Sequence, residues 1–149
     1  MVEHVDPVTG RSSLGYKETV MKVMMLMMSN PQSEAGQKPP TEEALIAMHN
    51  FNEELEKAGV LVDLGGLTPT SRGARLKYKG GKTTVTDGPF TEAKELVAGF
   101  SILNVKTFAE AVEWAKRAPF AKTVGEGEEV EVELRPLFDA SDFDPPAGA

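Results

Sequence analysis

Met21-Lys22-Val23-Met24-Met25-Leu26-Met27-Met28 sets the architecture of the chain. Behind the base at Lys22 stand six consecutive apolar residues, closed by Ser29-Asn30-Pro31. A base followed by an apolar run resembles a signal peptide. Such a core, however, needs about 7 to 15 apolar residues and a small-residue cleavage site, and a membrane span needs about 20. Both readings fail on length. A strand remains, and because successive side chains point to opposite faces, six apolar residues in a row put apolar groups on both. The strand is therefore central and covered on both sides. Its methionines, which fill irregular apolar gaps well, read as core.

Outward from this strand, Ser29 to Pro40 reads as a polar loop ending in Pro39-Pro40. Thr41 stands where an N-cap belongs, with Glu42 and Glu43 in the first turn of a helix running to about Ala58. Leu45, Met48, Phe51, Leu55 and Ala58 recur at three- and four-residue steps as one stripe, and Gly59 supplies the stop. Val60 to Leu64 is the next strand. Gly65-Gly66 and Thr68-Pro69 connect it to a hairpin, in which Arg75 to Lys79 and Lys82 to Thr86 flank Gly80-Gly81. Asp87-Gly88-Pro89 turns the chain, and a short helical piece follows around Glu92 to Leu96.

Gly99 to Val105 is strand-like. Thr107 caps a helix to about Ala118, whose Phe108, Ala111, Val112 and Ala115 share a face, and Pro119 marks its end. Glu129 to Leu137 closes the fold: Val130, Val132 and Leu134 alternate with Glu131, Glu133 and Arg135, as on a half-buried edge strand. The order is strand, helix, strand, hairpin, strand, helix, strand. This is an α+β fold, a ferredoxin-like split β-α-β pair with an inserted β-hairpin. Two helices cover only one face of its sheet, whereas the first strand is apolar on both. A second copy of the same sheet is the simplest cover, giving a homodimer.

The 149 residues suffice for one domain and not for two comfortable ones. Residues 1–20 lack periodicity and read as a disordered leader; residues 21–138 form the domain; residues 139–149 are an acidic, proline-containing tail. There is no cysteine, which removes disulfides, thiolate nucleophiles and cysteine metal ligands together and fits a cytoplasmic setting. Of the 23 acids, eight fall in residues 126–149 beside one base, Arg135. That segment alone carries the net charge of −7, leaving 15 acids and 15 bases in residues 1–125. No basic surface emerges, so direct nucleic-acid binding is disfavoured.

Asp87-Gly88-Pro89-Phe90-Thr91-Glu92-Ala93-Lys94-Glu95, with Gly99-Phe100 after it, closely resembles the DGPF signature of the YCII-related (YciI-like) family. Companion matches are Phe51-Asn52-Glu53-Glu54-Leu55 with Ala58-Gly59-Val60-Leu61, then Glu110-Ala111-Val112-Glu113-Trp114-Ala115, and Glu133-Leu134-Arg135-Pro136. The resemblance spans about Met21 to Phe138. It implies a dimeric α/β-barrel built from ferredoxin-like subunits. The family is mostly uncharacterised; its wider superfamily includes a few enzymes of small aromatic or lactone-like compounds, with a His-Asp pair as the proposed catalytic feature. Some DGPF proteins are encoded beside, or fused to, sigma factors of the extracytoplasmic-function type.

Two readings of Asp87 follow. In one, its carboxylate accepts hydrogen bonds from the N–H groups after it and fixes the corner. In the other, it is a general acid or base at the mouth of an inter-subunit pocket, its proton affinity raised by burial. His49 is its candidate partner; His4 lies in the leader. His49 nevertheless falls about 120° from the centre of its helix's apolar stripe, and the superfamily's helix histidine aligns nearer Met48. Arg135 points to the sheet's far face, either to hold a carboxylate or phosphate or to pair with Glu133 or Glu131.

Arg72, in a basic loop that can gate a pocket, and Phe90 of the signature complete the candidate binding residues. Glu92, Lys94 and Glu95 read as a solvated face. No metal site and no cofactor is expected: there is no His-x-His, Glu-x-x-His or cysteine pair, no calcium loop, and no glycine-rich phosphate cradle. The readings left open are a cofactor-independent small-molecule enzyme, a ligand-binding or regulatory module, such as one serving a sigma factor, and a vestigial domain whose cavity is filled by side chains.

Overall fold

The computed structural model describes residues 20–35, 40–125 and 127–143. The leader expected over residues 1–20 (all but Val20), Pro39, and the part of the tail after Phe143 lie outside the described residues. The elements run β1 (Met21–Met28), α1 (Pro31–Ala35), α2 (Glu42–Lys57), β2 (Leu61–Gly66), β3 (Ala74–Lys79), β4 (Lys82–Asp87), β5 (Val97–Val105), α3 (Phe108–Arg117) and β6 (Val132–Pro136). Four strands form one antiparallel sheet in the order β2-β5-β1-β6, and β3 and β4 form a separate two-stranded sheet. This order is the ferredoxin-like arrangement, with β1 central and β6 at an edge.

Alternation along β1 builds the core. Val23 and Met25 are fully buried with Leu55 of α2, Leu103 and Val105 of β5, and Ala111 of α3. Each large side chain so removed from water contributes about 1.5–3 kcal/mol. Thr41 caps α2 through its hydroxyl, which accepts the Ala44 N–H at 3.1 Å, and Thr107 caps α3 by accepting from Glu110 at 3.1 Å. Gly59 takes φ of +72°, which lets the Val60 N–H reach the Leu55 carbonyl at 3.0 Å and end α2.

The other face of the sheet has no cover among the described residues. Met24 and Leu26 of β1 lie opposite Ile102 and Phe100 of β5 on one side and Arg135 and Glu133 of β6 on the other. The four apolar members are only half-buried. Gly65 serves this face, since a Cβ there would stand 2.9 Å from the Phe100 ring.

Five expectations are corrected. The loop from Ser29 to Pro40 contains the one-turn helix α1, whose first residue, Pro31, sits where a missing N–H is tolerated. The α2 stripe runs through Ala44, Met48, Phe51 and Leu55, while Leu45 is 55% exposed; steps of four, three and four hold the buried face, and Leu45 falls one position outside it. Phe108 is exposed on α3, and Trp114 packs inward instead, edge-on to Phe51 with ring centroids 6.4 Å apart. Finally, Gly65 and Gly66 continue β2 opposite Phe100 and Gly99, whereas β6 begins at Val132 and not at Glu129, with the Glu131 carbonyl just ahead of it accepting the Met28 N–H.

Candidate functional site: the Asp87 to Phe90 corner

Strand β4 ends at Asp87, opposite Ala74 of β3. The next residue closes the base of the hairpin, its N–H donating to the Gly73 carbonyl at 3.0 Å. Thr70, which begins a single 3-10 turn (Thr70–Arg72), organises what surrounds it. Its N–H donates to Glu34 Oε1 at 3.0 Å and its hydroxyl donates to the same oxygen. Its Oγ1 in turn accepts the Phe90 N–H at 2.9 Å. Gly88 lies so close that a Cβ there would come within 1.7 Å of the Thr70 carbonyl oxygen. The Gly88–Pro89 peptide is cis.

Thus α1, the 3-10 turn, the hairpin base and the corner are one bonded unit, and its organiser is a threonine. Sequence reasoning missed Thr70. Its partners, Glu34 and Phe90, are 36 and 20 residues away, and a threonine in a polar loop carries no local mark of such contacts. Beside it the Arg75 guanidinium lies 3.9 Å from the centroid of the Phe90 ring, a cation–π contact that covers one face of that ring.

Asp87 itself is exposed. Its carboxylate makes no hydrogen bond or ion pair among the described residues, so the corner is not held by Asp87 in the way the turn reading expected. The two N–H groups it would have engaged go to the Gly73 carbonyl and the Thr70 hydroxyl. Nor does the single chain bury this carboxylate. Arg72 is exposed too and has no ion pair among the described residues. It precedes Gly73 as Asp87 precedes Gly88, so an acid and a base flank the bonded Gly73–Gly88 pair.

The remaining candidates lie elsewhere. His49 stands on the outer side of α2, 73% exposed, with Nε2 3.7 Å from Glu53 Oε1; no bond joins it to Asp87. Arg135 lies on the uncovered sheet face, as its alternation implied, with Nη1 3.9 Å from Glu133 Oε2. Two clefts contain none of the sequence-named site residues. One of about 510 Å³ opens between the end of β1 and the start of α2, against Met27, Leu67, Phe120, Lys122 and Val130. The other, about 240 Å³, is lined by Met28, Pro31, Glu128, Glu129 and Glu131. No group of three or more potential metal ligands occurs among the described residues.

A four-stranded antiparallel sheet with helices on one face, a free-standing hairpin and a glycine-proline corner at its base defines a ferredoxin-like α+β protein with an insertion. Residues 21–135 match the model of the YCII-related domain, and the chain belongs to that family. It is also 32% identical over 82 residues to an uncharacterized protein of Rhizobium meliloti (strain 1021). That match takes in 55% of this chain and 66% of the other protein. Among the described residues no helix is long and apolar enough to cross a membrane.

Proposed function

We propose that the protein is a cytoplasmic homodimer of the DGPF branch, closed face to face through its uncovered sheets into an α/β-barrel. Within it, Asp87 serves proton transfer on a small molecule held in a cavity between the subunits. The observation that carries the catalytic part is the idle Asp87 carboxylate: Thr70 and Gly73 supply the bonds of the corner, so among the described residues the fold makes no use of the acid. Arg72, on the other side of the Gly73–Gly88 bond, supplies a guanidinium for a ligand carboxylate. The chemistry fitted to this pair is removal of a proton from a carbon beside a carbonyl and its return at another carbon, with no cofactor.

A ligand-binding or regulatory module, with a sigma factor as one such partner, is the second reading. It is favoured by the separation of His49 from Asp87, which leaves the carboxylate without a histidine partner among the described residues.

Turnover of a panel of small lactones and aromatic acids, followed by NMR for wild type and Asp87→Asn, tests the choice. Product formation that disappears in Asp87→Asn supports the enzyme. Saturable binding without product in either protein overturns it in favour of the module, and product formation unchanged in Asp87→Asn removes Asp87 from the chemistry.

A further inference from the structure

The hairpin has two chemically distinct faces. Pairing of β3 with β4 puts Leu76 opposite Val85 and Tyr78 opposite Thr83, all on one side, with Asp87 at the base of that side. On the reverse lie Arg75, Lys77 and Lys79, with Lys82 across from Lys79 at the tip. Every residue of both strands is exposed, including Leu76 at 51%, Tyr78 at 74% and Val85 at 60%. Among the described residues the strands pair only with each other, and an isolated two-stranded hairpin is marginal in water. Residues 74–87 hold four bases and one acid in a chain whose net charge is −7. Exposed apolar side chains beside a local excess of positive charge point to a partner surface that is apolar and acidic.

This chain carries such a surface. The hairpin leaves the sheet from the end where Gly66 pairs with Gly99 and the Leu67 N–H reaches the Ala98 carbonyl. The same end holds Met28, whose N–H donates to the Glu131 carbonyl at 2.9 Å, and the cleft lined by Met28, Pro31, Glu128, Glu129 and Glu131. Through Thr70 the hairpin base is bonded to Glu34 of α1, the helix whose first residue, Pro31, lines that cleft, so base and cleft share one end of the sheet while the tip of the hairpin stands away from it. A two-fold axis running along the strands between two facing sheets brings like ends of the two copies together, so the hairpin of each stands at the cleft-bearing end of the other. Six-residue strands extend about 20 Å, against about 10 Å between packed sheets, so the hairpin is long enough to reach across.

We infer that the hairpin is an arm that clasps a second copy of the chain: Leu76, Tyr78 and Val85 pack on the partner's sheet margin, and Lys79 and Lys82 enter its acid-lined cleft. This rests on the dimer reading above and adds to it a role for the insertion. Closing the arm also brings Asp87, on the same face as Val85, against the partner, which encloses a carboxylate that the single chain leaves exposed.

The absence of cysteine allows a direct test. A Lys79→Cys chain and a Glu131→Cys chain, carrying different tags, are mixed, refolded together and treated with a short bismaleimide. The control pairs Lys79→Cys with Lys116→Cys on α3. Separately, light scattering gives the mass and dimer dissociation constant of wild type and of a Leu76→Ser, Tyr78→Ser, Val85→Ser triple variant whose fold is checked by circular dichroism. The expected results are a cross-link between Lys79→Cys and Glu131→Cys, none in the control, and a dissociation constant raised at least about tenfold in the triple variant. Wild type that is monomeric at every concentration overturns both the dimer and the arm. A dimer without the cross-link, or unaffected by the triple substitution, overturns the arm alone. Should the triple variant fail to fold, the cross-link decides.

Discussion

Gly88 stands against the backbone of Thr70, with room for a hydrogen and not for a methyl group: a Cβ would lie 1.7 Å from the Thr70 carbonyl oxygen. Backbone on both sides of the contact leaves no flexible side chain to yield. Gly88→Ala should therefore destabilise the fold by about 3 kcal/mol or more, at the upper end of overpacking effects. Urea unfolding of the variant beside wild type measures this. A cost under about 1 kcal/mol would mean that the two segments are not so closely apposed.

The same corner predicts opposite outcomes for two polar residues. Thr70→Val removes the hydroxyl that donates to Glu34 and accepts from Phe90, and should cost about 1–3 kcal/mol, with Thr70→Ser recovering most of it. Asp87→Ala removes a carboxylate without bonds and should change stability by no more than about 0.5 kcal/mol. A larger loss in Asp87→Ala would assign that carboxylate a structural role.

On α2, the leucines at positions 45 and 55 should behave differently. Leu55 is fully buried and Leu45 is 55% exposed. Leu55→Ala is expected to cost about 2–5 kcal/mol, and Leu45→Ala about 0.5 kcal/mol or less. Thermal midpoints with matched denaturant curves distinguish this from a stripe centred on Leu45.

The uncovered sheet face yields a further test. Leu26 lies between Phe100 and Glu133 on that face. Leu26→Asp should leave the secondary structure intact while converting dimer to monomer, because a buried unpaired carboxylate opposes association. Light scattering at several concentrations reads the change. A dimer that survives Leu26→Asp would place the interface elsewhere.

Legibility in the sequence followed the range of the forces. The apolar run from Val23 to Met28, the caps at Thr41 and Thr107 and the Gly80-Gly81 hairpin are local signals, and each led to the right element. Boundaries were harder: Gly65 and Gly66 read as a connection because glycine weakens strands, but at Gly65 the Phe100 ring across the ladder occupies the room a side chain would need. Spacing alone places Leu45 in the core, because it does not distinguish the centre of a stripe from its flank when Ala44 is small. The site was least legible. Asp87 and Phe90 stood out by residue type, but the part played by Thr70 exists only after segments 20 and 36 residues apart have met.

The bond between the Gly88 N–H and the Gly73 carbonyl has one more implication. The chain departs into the hairpin and returns at points already touching, so everything from Ala74 to Asp87 hangs from a closed junction. Lengthening, shortening or exchanging that segment leaves the two anchor points where they are. The fold thus contains a natural graft site, at which descendants of one scaffold can acquire different attachments while the four-stranded sheet and its helices stay constant.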